Sequence, residues 1–208
     1  HKYKIGISQC SDDSWRQKQN SEFRFMSYIN DSVAVDIKSA KDNNAQQAAQ
    51  IDSLVDEGVD LLVVCPNQLD GVTKAIDRAY DKGIPVIFFD RTTNSNKYTA
   101  FIGCDNYRIG FDLGTYIANQ LNGNGRVVEI RGLDNSSPAK GRHEGFVDAL
   151  KNYPDVKIVA SEAADWEQAG AEKAMDKILA KTTDFDYVYA HNDRMAYAAF
   201  LTMRRHNL

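Results

Sequence analysis

Short, continuous apolar runs alternate along this chain with longer stretches whose apolar positions recur at helical spacing. Residues 3–7 read as a buried strand and residues 14–28 as a helix, with Ser14 placed to cap it. Val33, Val35 and Ile37 alternate with polar neighbours, as in a strand with one face less covered. A helix over 44–57 stops at Gly58, LLVVC makes a strand at 61–65, a helix over 71–82 stops at Gly83, and PVIFF makes a strand at 85–89. A short strand at 98–102 then breaks the rhythm. Asp105 or Asn106 caps a long helix that reaches Leu121. The second half repeats the pattern, with strands at 126–130, 157–163 and 187–190, followed by helices at 138–151, 167–181 and 194–205.

Strands alternating with helices predict right-handed βαβ crossovers and parallel sheets covered on both faces. The uninterrupted runs LLVVC and PVIFF fit strands buried on both sides. The expected class is therefore α/β. A single sheet of about eight strands is one arrangement. The break at 98–102 favours two sheets instead, with lobes over 1–104 and 105–208.

Composition narrows the function. The 208 residues are 43% hydrophobic and 26% charged, with a formal net charge of −4. An acidic balance argues against a nucleic-acid partner, which calls for a basic face. No apolar stretch approaches the ~20 residues of a membrane span, and no leader precedes Tyr3, as expected of a cytosolic chain or a mature exported one. Cys10, Cys65 and Cys104 form no CxxC pair, and each reads as a small buried filler with an unpaired thiol. His143, His191 and His206 lack metal-ligand spacing, so neither a metal nor a cofactor is expected.

The chemistry collects at strand ends. In open parallel sheets, ligands bind beyond the carboxyl ends of the strands. After the first strand come Asp12, Asp13, Ser14 and Trp15, after LLVVC comes Pro66-Asn67-Gln68, and after PVIFF comes Asp90-Arg91. In the second half the same edge collects Arg142, Asp165-Trp166 and His191-Asn192-Asp193-Arg194. Either tryptophan alone could be a core residue packing a helix start. Both together, each beside Asp and after a strand, point to a site. Carboxylates accept hydroxyl protons, Arg donates a rigid fork, Asn does both, and flat rings cover the C–H faces of a sugar. Rival chemistries lack their motifs: the chain holds no GxGxxG after a strand, no GxxxxGK[ST] loop and no GxSxG elbow.

The phrases EGVDLLVVCPN, GIPVIFFDR, FIGCDNYRIG, KGRHEGF, EAADWEQ and YAHNDRMAYAA, in this order, resemble the type I periplasmic sugar-binding proteins, the ribose- and galactose-binding group that shares its core with LacI-type repressors. SQCSDDSWR and YAHNDR look most similar to the periplasmic sugar-sensor domains of hybrid two-component histidine kinases. The resemblance implies two Rossmann-like lobes that close on a ligand held in the cleft between them. It puts Asp12 and Trp15 in the first ligand loop, with Ser14 where the ribose-binding pattern has a second aromatic. Asp90 and Arg91 fall on a pair that grips ring hydroxyls, Arg142 on another hydroxyl-binding arginine, Trp166 on a stacking aromatic and Asn192 on a binding asparagine.

Members of that group run well past the position of Leu208, so the second lobe is expected to be incomplete, without the segment that returns to the first. The resemblance implies a periplasmic, non-enzymatic module for a ribose-, fructose- or galactose-like monosaccharide, with any kinase activity outside the segment. The output is a sensor kinase or, alternatively, an ABC-transporter permease. An enzyme acting on a sugar is a remote third reading. Membrane contact would come only through a linked transmembrane segment or a permease. Exposed apolar strand edges also suggest a homodimer.

Overall fold

The first strand extends further than its apolar run. In the computed structural model, which describes residues 2–208, β1 spans Tyr3–Gln9, because Ser8 and Gln9 continue the ladder against Lys38 and Ser39 of β2 (Val33–Ser39). The helix that follows, α1 (Ser14–Ile29), is capped by Asp13 rather than Ser14. The Asp13 carboxylate accepts from the N–H groups of Trp15 and Arg16 at 2.8 and 3.1 Å. Both residue types cap well, but a carboxylate also complements the positive end of the helix dipole, and Ser14 becomes the first helical residue. His1 lies outside the described residues.

The remaining elements of the first unit are α2 (Asn44–Asp56), β3 (Leu61–Val64), α3 (Thr73–Asp81), β4 (Val86–Phe89) and β5 (Ala100–Ile102). The five strands are all parallel, in the order β2-β1-β3-β4-β5. Alternation along the strands sends Leu62, Val64, Val86 and Phe88 to one face, where they pack on Ile51, Leu54, Val72 and Ile76 from the α2 and α3 region. Phe23 of α1 meets Phe89 edge-on, at 5.8 Å between ring centroids. The chain passes from β1 to β2 on one side and later crosses to β3 on the other. The β1–β3 pair is therefore the switch point, where the following loops diverge and leave a crevice.

The second unit spans Asp105–Leu208 and the first ends at Cys104. It contains α4 (Asn106–Gln120), β6 (Asn124–Arg131), α5 (Ser137–Leu150), β7 (Asp155–Ala163), α6 (Gln168–Lys181), β8 (Tyr187–Ala190) and α7 (Asp193–Arg205). Its three parallel strands run β7-β6-β8, so the switch point lies between β6 and β8. On one face Val128 and Ile130 join Met175, Ile178 and Met195 from α6 and α7. On the other, Val127 and Tyr189 meet Ile117 and Phe146 from α4 and α5. Phe146 is fully buried and stacks on Tyr189 at 4.2 Å, and truncating such a residue to Ala costs about 3–5 kcal/mol. Gly110 lets α4 press against α5, since a Cβ there would lie 2.1 Å from the carbonyl oxygen of Arg142. That close crossing fixes where Arg142 starts.

Candidate functional site

At the β1–β3 switch point the first unit gathers an almost wholly polar set. Trp15 is 62% exposed, so it is no core residue of this unit. Asp12 and Ser14 are exposed beside it. One position on, Arg16 turns inward and is only 2% exposed. Its Nη2 donates to Asp90 Oδ2 at 2.6 Å and its Nη1 to Gln19 Oε1 at 3.0 Å. Asp90 holds a left-handed backbone (φ 65°) after β4, an arrangement that costs about 1–3 kcal/mol for a non-glycine residue and clusters at functional sites. Arg91, also buried, donates from Nη1 to the Asn67 carbonyl at 2.9 Å. The Asp90 carboxylate thus receives the guanidinium of Arg16, 74 residues earlier in the chain.

Arg16 is the residue that strand-end reasoning passed over. A signal for it existed. A cation in the first turn of a helix opposes the helix dipole and calls for a carboxylate from elsewhere. Arg16, Asn20 and Phe23 also share one helix face, and Arg16 and Asn20 are both buried. Around this pair, Gln9 donates to Asn20 Oδ1 at 3.0 Å, and Gln47 donates to Ser8 Oγ and to the Cys65 carbonyl at 3.2 and 2.8 Å. Three buried polar atoms of this edge, Gln9 Oε1, Arg16 Nε and Asn67 Oδ1, have no hydrogen-bond partner among the described residues. Buried polar groups are almost always satisfied, so three left open near one sheet edge set this region apart.

Two of the cysteines meet here as well. Cys10 follows β1, Cys65 follows β3, and their sulfurs lie 3.6 Å apart in the interior. Cys65 also donates to Asp90 Oδ2, at 3.9 Å. Cys104 departs from the expectation of three buried fillers, because it is exposed.

In the second unit the three sequence-predicted residues come together. Arg142 donates from Nε to Asn106 Oδ1 at 3.0 Å and from Nη1 to the His191 carbonyl. Its guanidinium carbon stands 5.5 Å from the centroid of the Trp166 ring, within cation–π range. Trp166 and Asp165 both have positive φ, 71° and 53°, which swings the indole back over Gly132. A Cβ at Gly132 would lie 2.3 Å from that ring, so only glycine admits it. Asn192 caps α7 by accepting from Met195 N–H at 2.8 Å and donates to the Trp166 carbonyl at 3.2 Å. Much of its hydrogen-bonding capacity is therefore structural.

Beneath this trio lies a network centred on the buried Glu129, of which only His191 stood among the strand-end residues. Glu129 of β6 accepts from Ser161 Oγ at 2.7 Å, from His143 Nδ1 at 2.9 Å and from His191 Nε2 at 3.1 Å. Gly132 N–H donates to His191 Nδ1 at 3.3 Å, which fixes a neutral ring with its proton on Nε2. Burial pushes the His191 pKa below its ordinary value, against the pull of Glu129. Burial would raise Glu129, but bonds from His191, Ser161 and His143 outweigh it and hold the carboxyl at about 2. A cavity of about 730 Å³ lined by Asn124, Arg126, Asp155 and Asp186 sits at the opposite, amino end of this sheet and includes none of these groups.

The chain is 29% identical over 169 residues to the ribose import binding protein RbsB of Bacillus subtilis 168, a match covering 80% of this chain and 54% of that protein. It is 26% identical over 212 residues to the galactofuranose-binding protein YtfQ of Escherichia coli K12, covering 98% of this chain and 66% of the relative. The chain thus spans between half and two thirds of the length of these relatives. Among solved structures, the fructose-binding periplasmic domain of the hybrid two-component system BT1754 superposes with a TM-score of 0.94 at 45% identity, over 99% of this chain and 68% of that one. A galactofuranose-binding protein superposes with a TM-score of 0.92 at 26% identity, over 99% of this chain and 72% of that one. The periplasmic binding protein domain model matches residues 7–207, and the chain belongs to that family.

Proposed function

We propose that this chain binds a neutral monosaccharide in the periplasm, and that it does so as the sensor domain of a hybrid two-component protein. The observation that carries the reading is the pair formed at the first switch point by the buried Arg16 and the partly exposed Asp90 carboxylate, with unpaired polar atoms of Gln9, Arg16 and Asn67 nearby. A carboxylate held in place by a guanidinium keeps a second oxygen for ring hydroxyls. In the second unit Trp166 offers a ring face and Arg142 keeps Nη2 for a hydroxyl. Asp12, Ser14 and Trp15 supply the exposed lip of the first edge, where Arg91 holds the Asn67 backbone, and in the second unit Asn192 holds the Trp166 backbone. The similarity to ribose-, galactofuranose- and fructose-binding proteins favours a binding module over an enzyme.

The sensor role draws on the 45% identity to the fructose-binding sensor domain over nearly the whole chain. A transporter-linked role is the second reading, favoured by the identity to the ribose import protein. The test is calorimetric titration of the full-length protein with D-fructose, D-ribose, D-galactose and L-arabinose. Saturable binding of at least one, with fructose preferred, supports the proposal. Failure of all four to bind a folded protein would overturn it.

A further inference from the structure

Cys10 and Cys65 stand at the ends of neighbouring parallel strands, in which Ser8 pairs with Val64. Cys10 lies two residues past Ser8 and Cys65 one past Val64, so a strand spacing of ~4.8 Å and an offset of one ~3.3 Å rise put their Cα atoms about 6 Å apart, inside the ~4.4–6.8 Å that a disulfide accepts. The sulfurs are already 3.6 Å apart, so reaching the ~2.05 Å of a bond takes about 1.5 Å of travel shared by two side chains. Neither thiol has a part in the sugar chemistry above, yet both lie at the switch point, and Cys65 touches the Asp90 carboxylate. The geometry points to a reversible redox pair: we propose that Cys10 and Cys65 close to a disulfide on reaction with a peroxide, and that this closure weakens the adjacent sugar site.

The chemistry follows from the surroundings. Cys10 is held well below the ordinary thiol range by the hydrogen bond from Cys65 and by the nearby charges of Arg91 and Arg16, against its burial. Burial drives Cys65 the other way, which leaves it as the protonated partner. The Cys10 thiolate attacks one peroxide oxygen. The S–O bond forms, the O–O bond breaks, and the departing hydroxide leaves as water after taking a proton. Cys10 is thereby oxidised by two electrons to a sulfenic acid, and the peroxide is reduced. Cys65 then gives its proton toward Asp90 and attacks the Cys10 sulfur. The S–S bond forms, the S–O bond breaks, and a second water carries that proton away. Both residues are buried, so a small oxidant suits the site better than a protein disulfide.

Closure has two consequences for the site. Arg16 and Arg91 lose the Cys10 anion facing them, so the edge around Asp90 becomes more positive. The segment that moves with Cys10 leads directly into Asp12–Trp15. The effect on ligand rests on the sugar-binding reading, whereas the disulfide does not. The experiment treats the reduced full-length protein with hydrogen peroxide, blocks remaining thiols under denaturing conditions, maps linked peptides, and titrates D-fructose before and after. A Cys10–Cys65 linked peptide, reversed by dithiothreitol and absent in Cys65→Ala, is expected, with fructose affinity lowered at least about fivefold, the low end for coupled sites. Cys65→Ala should keep its fructose affinity through the same treatment. A folded protein that yields no linked peptide, or reacts only at Cys104, overturns the pair. Equal affinity in both states overturns the coupling. A linked peptide in a protein that binds no sugar in either state supports the pair while removing the sugar reading.

Discussion

Arg16 in the first unit and Arg142 in the second both bring a guanidinium to the carboxyl edge of a sheet, by opposite means. Arg16 is buried and its charge is cancelled by Asp90 at 2.6 Å. Arg142 is half-buried and is held by neutral acceptors, the Asn106 amide and the His191 carbonyl, with the Trp166 face at 5.5 Å. The buried carboxylate of the second unit, Glu129, serves two histidines instead. One edge is thus a closed charge pair with open neutral atoms around it. The other carries an uncompensated cation over a titratable base. The difference teaches that equivalent places in two similar units need not share chemistry, and that each should respond to a different perturbation.

The largest effect should come from opening the charge pair. Arg16→Ala leaves the partly exposed Asp90 without the guanidinium that orients it toward a ligand, and a hydrogen bond to a charged group is worth about 1.5–3 kcal/mol. That corresponds to a loss of up to roughly a hundredfold in fructose affinity at ~1.4 kcal/mol per decade. Arg16→Lys should recover only part, because an ammonium restores the charge without the fork. Titration of both variants alongside Lys82→Ala, an exposed control, sharpens the comparison. Equal losses in all three would break it.

The second effect is acid sensitivity, and it belongs to the second unit. The folded-state pKa of His191 is lowered, so as pH falls through about 6.5 the unfolded chain takes up a proton that the folded chain refuses. Stability should fall with a slope of up to ~1.4 kcal/mol per pH unit while that single group titrates. Glu129 is also depressed, so its contribution is intact above about 4.5 and is lost as pH falls toward about 2. Urea unfolding between pH 7 and 5, followed by reporters in each unit, should show the loss at His191. His191→Gln should flatten that window. An unchanged slope in this variant would mean that some other group sets it.

Smaller still is the ring contact. Arg142→Lys keeps the charge but gives up the planar stack on Trp166, an interaction worth about 0.5–2 kcal/mol. Fructose affinity should drop by about two- to thirtyfold on that basis. Trp15→Ala should also weaken binding while leaving the unfolding midpoint within about 0.5 kcal/mol of wild type, because its ring packs little of the core. A marked loss of stability in Trp15→Ala would return that residue to a packing role.

The fold was legible because periodicity and punctuation agreed. LLVVC and PVIFF could only be doubly covered strands, and Gly58 and Gly83, both at positive φ, ended their helices as their type suggests. Element ends were less legible. Ser14 lost the cap to Asp13 because the two residues compete locally and only the carboxylate adds charge. Site residues that follow a strand directly, such as Asp90 and Trp166, announced themselves by position. Arg16 did not, because its partner lies 74 residues away and its inward direction depends on helix phase. The Glu129–His191 bond spans 62 residues, and the Cys10–Cys65 contact spans 55. Such pairings are set by strand order in the sheet, which local pattern does not encode.

The most direct measurement is calorimetric titration of the full-length protein and its Asp90→Asn variant with D-fructose. The substitution keeps shape and removes the charge on which the first edge is built. Saturable binding by wild type, and affinity lowered at least tenfold in a folded Asp90→Asn, is the predicted result, since hydrogen bonds to charged groups are worth about 1.5–3 kcal/mol. Undiminished affinity in Asp90→Asn would contradict the assignment of this edge as the sugar site.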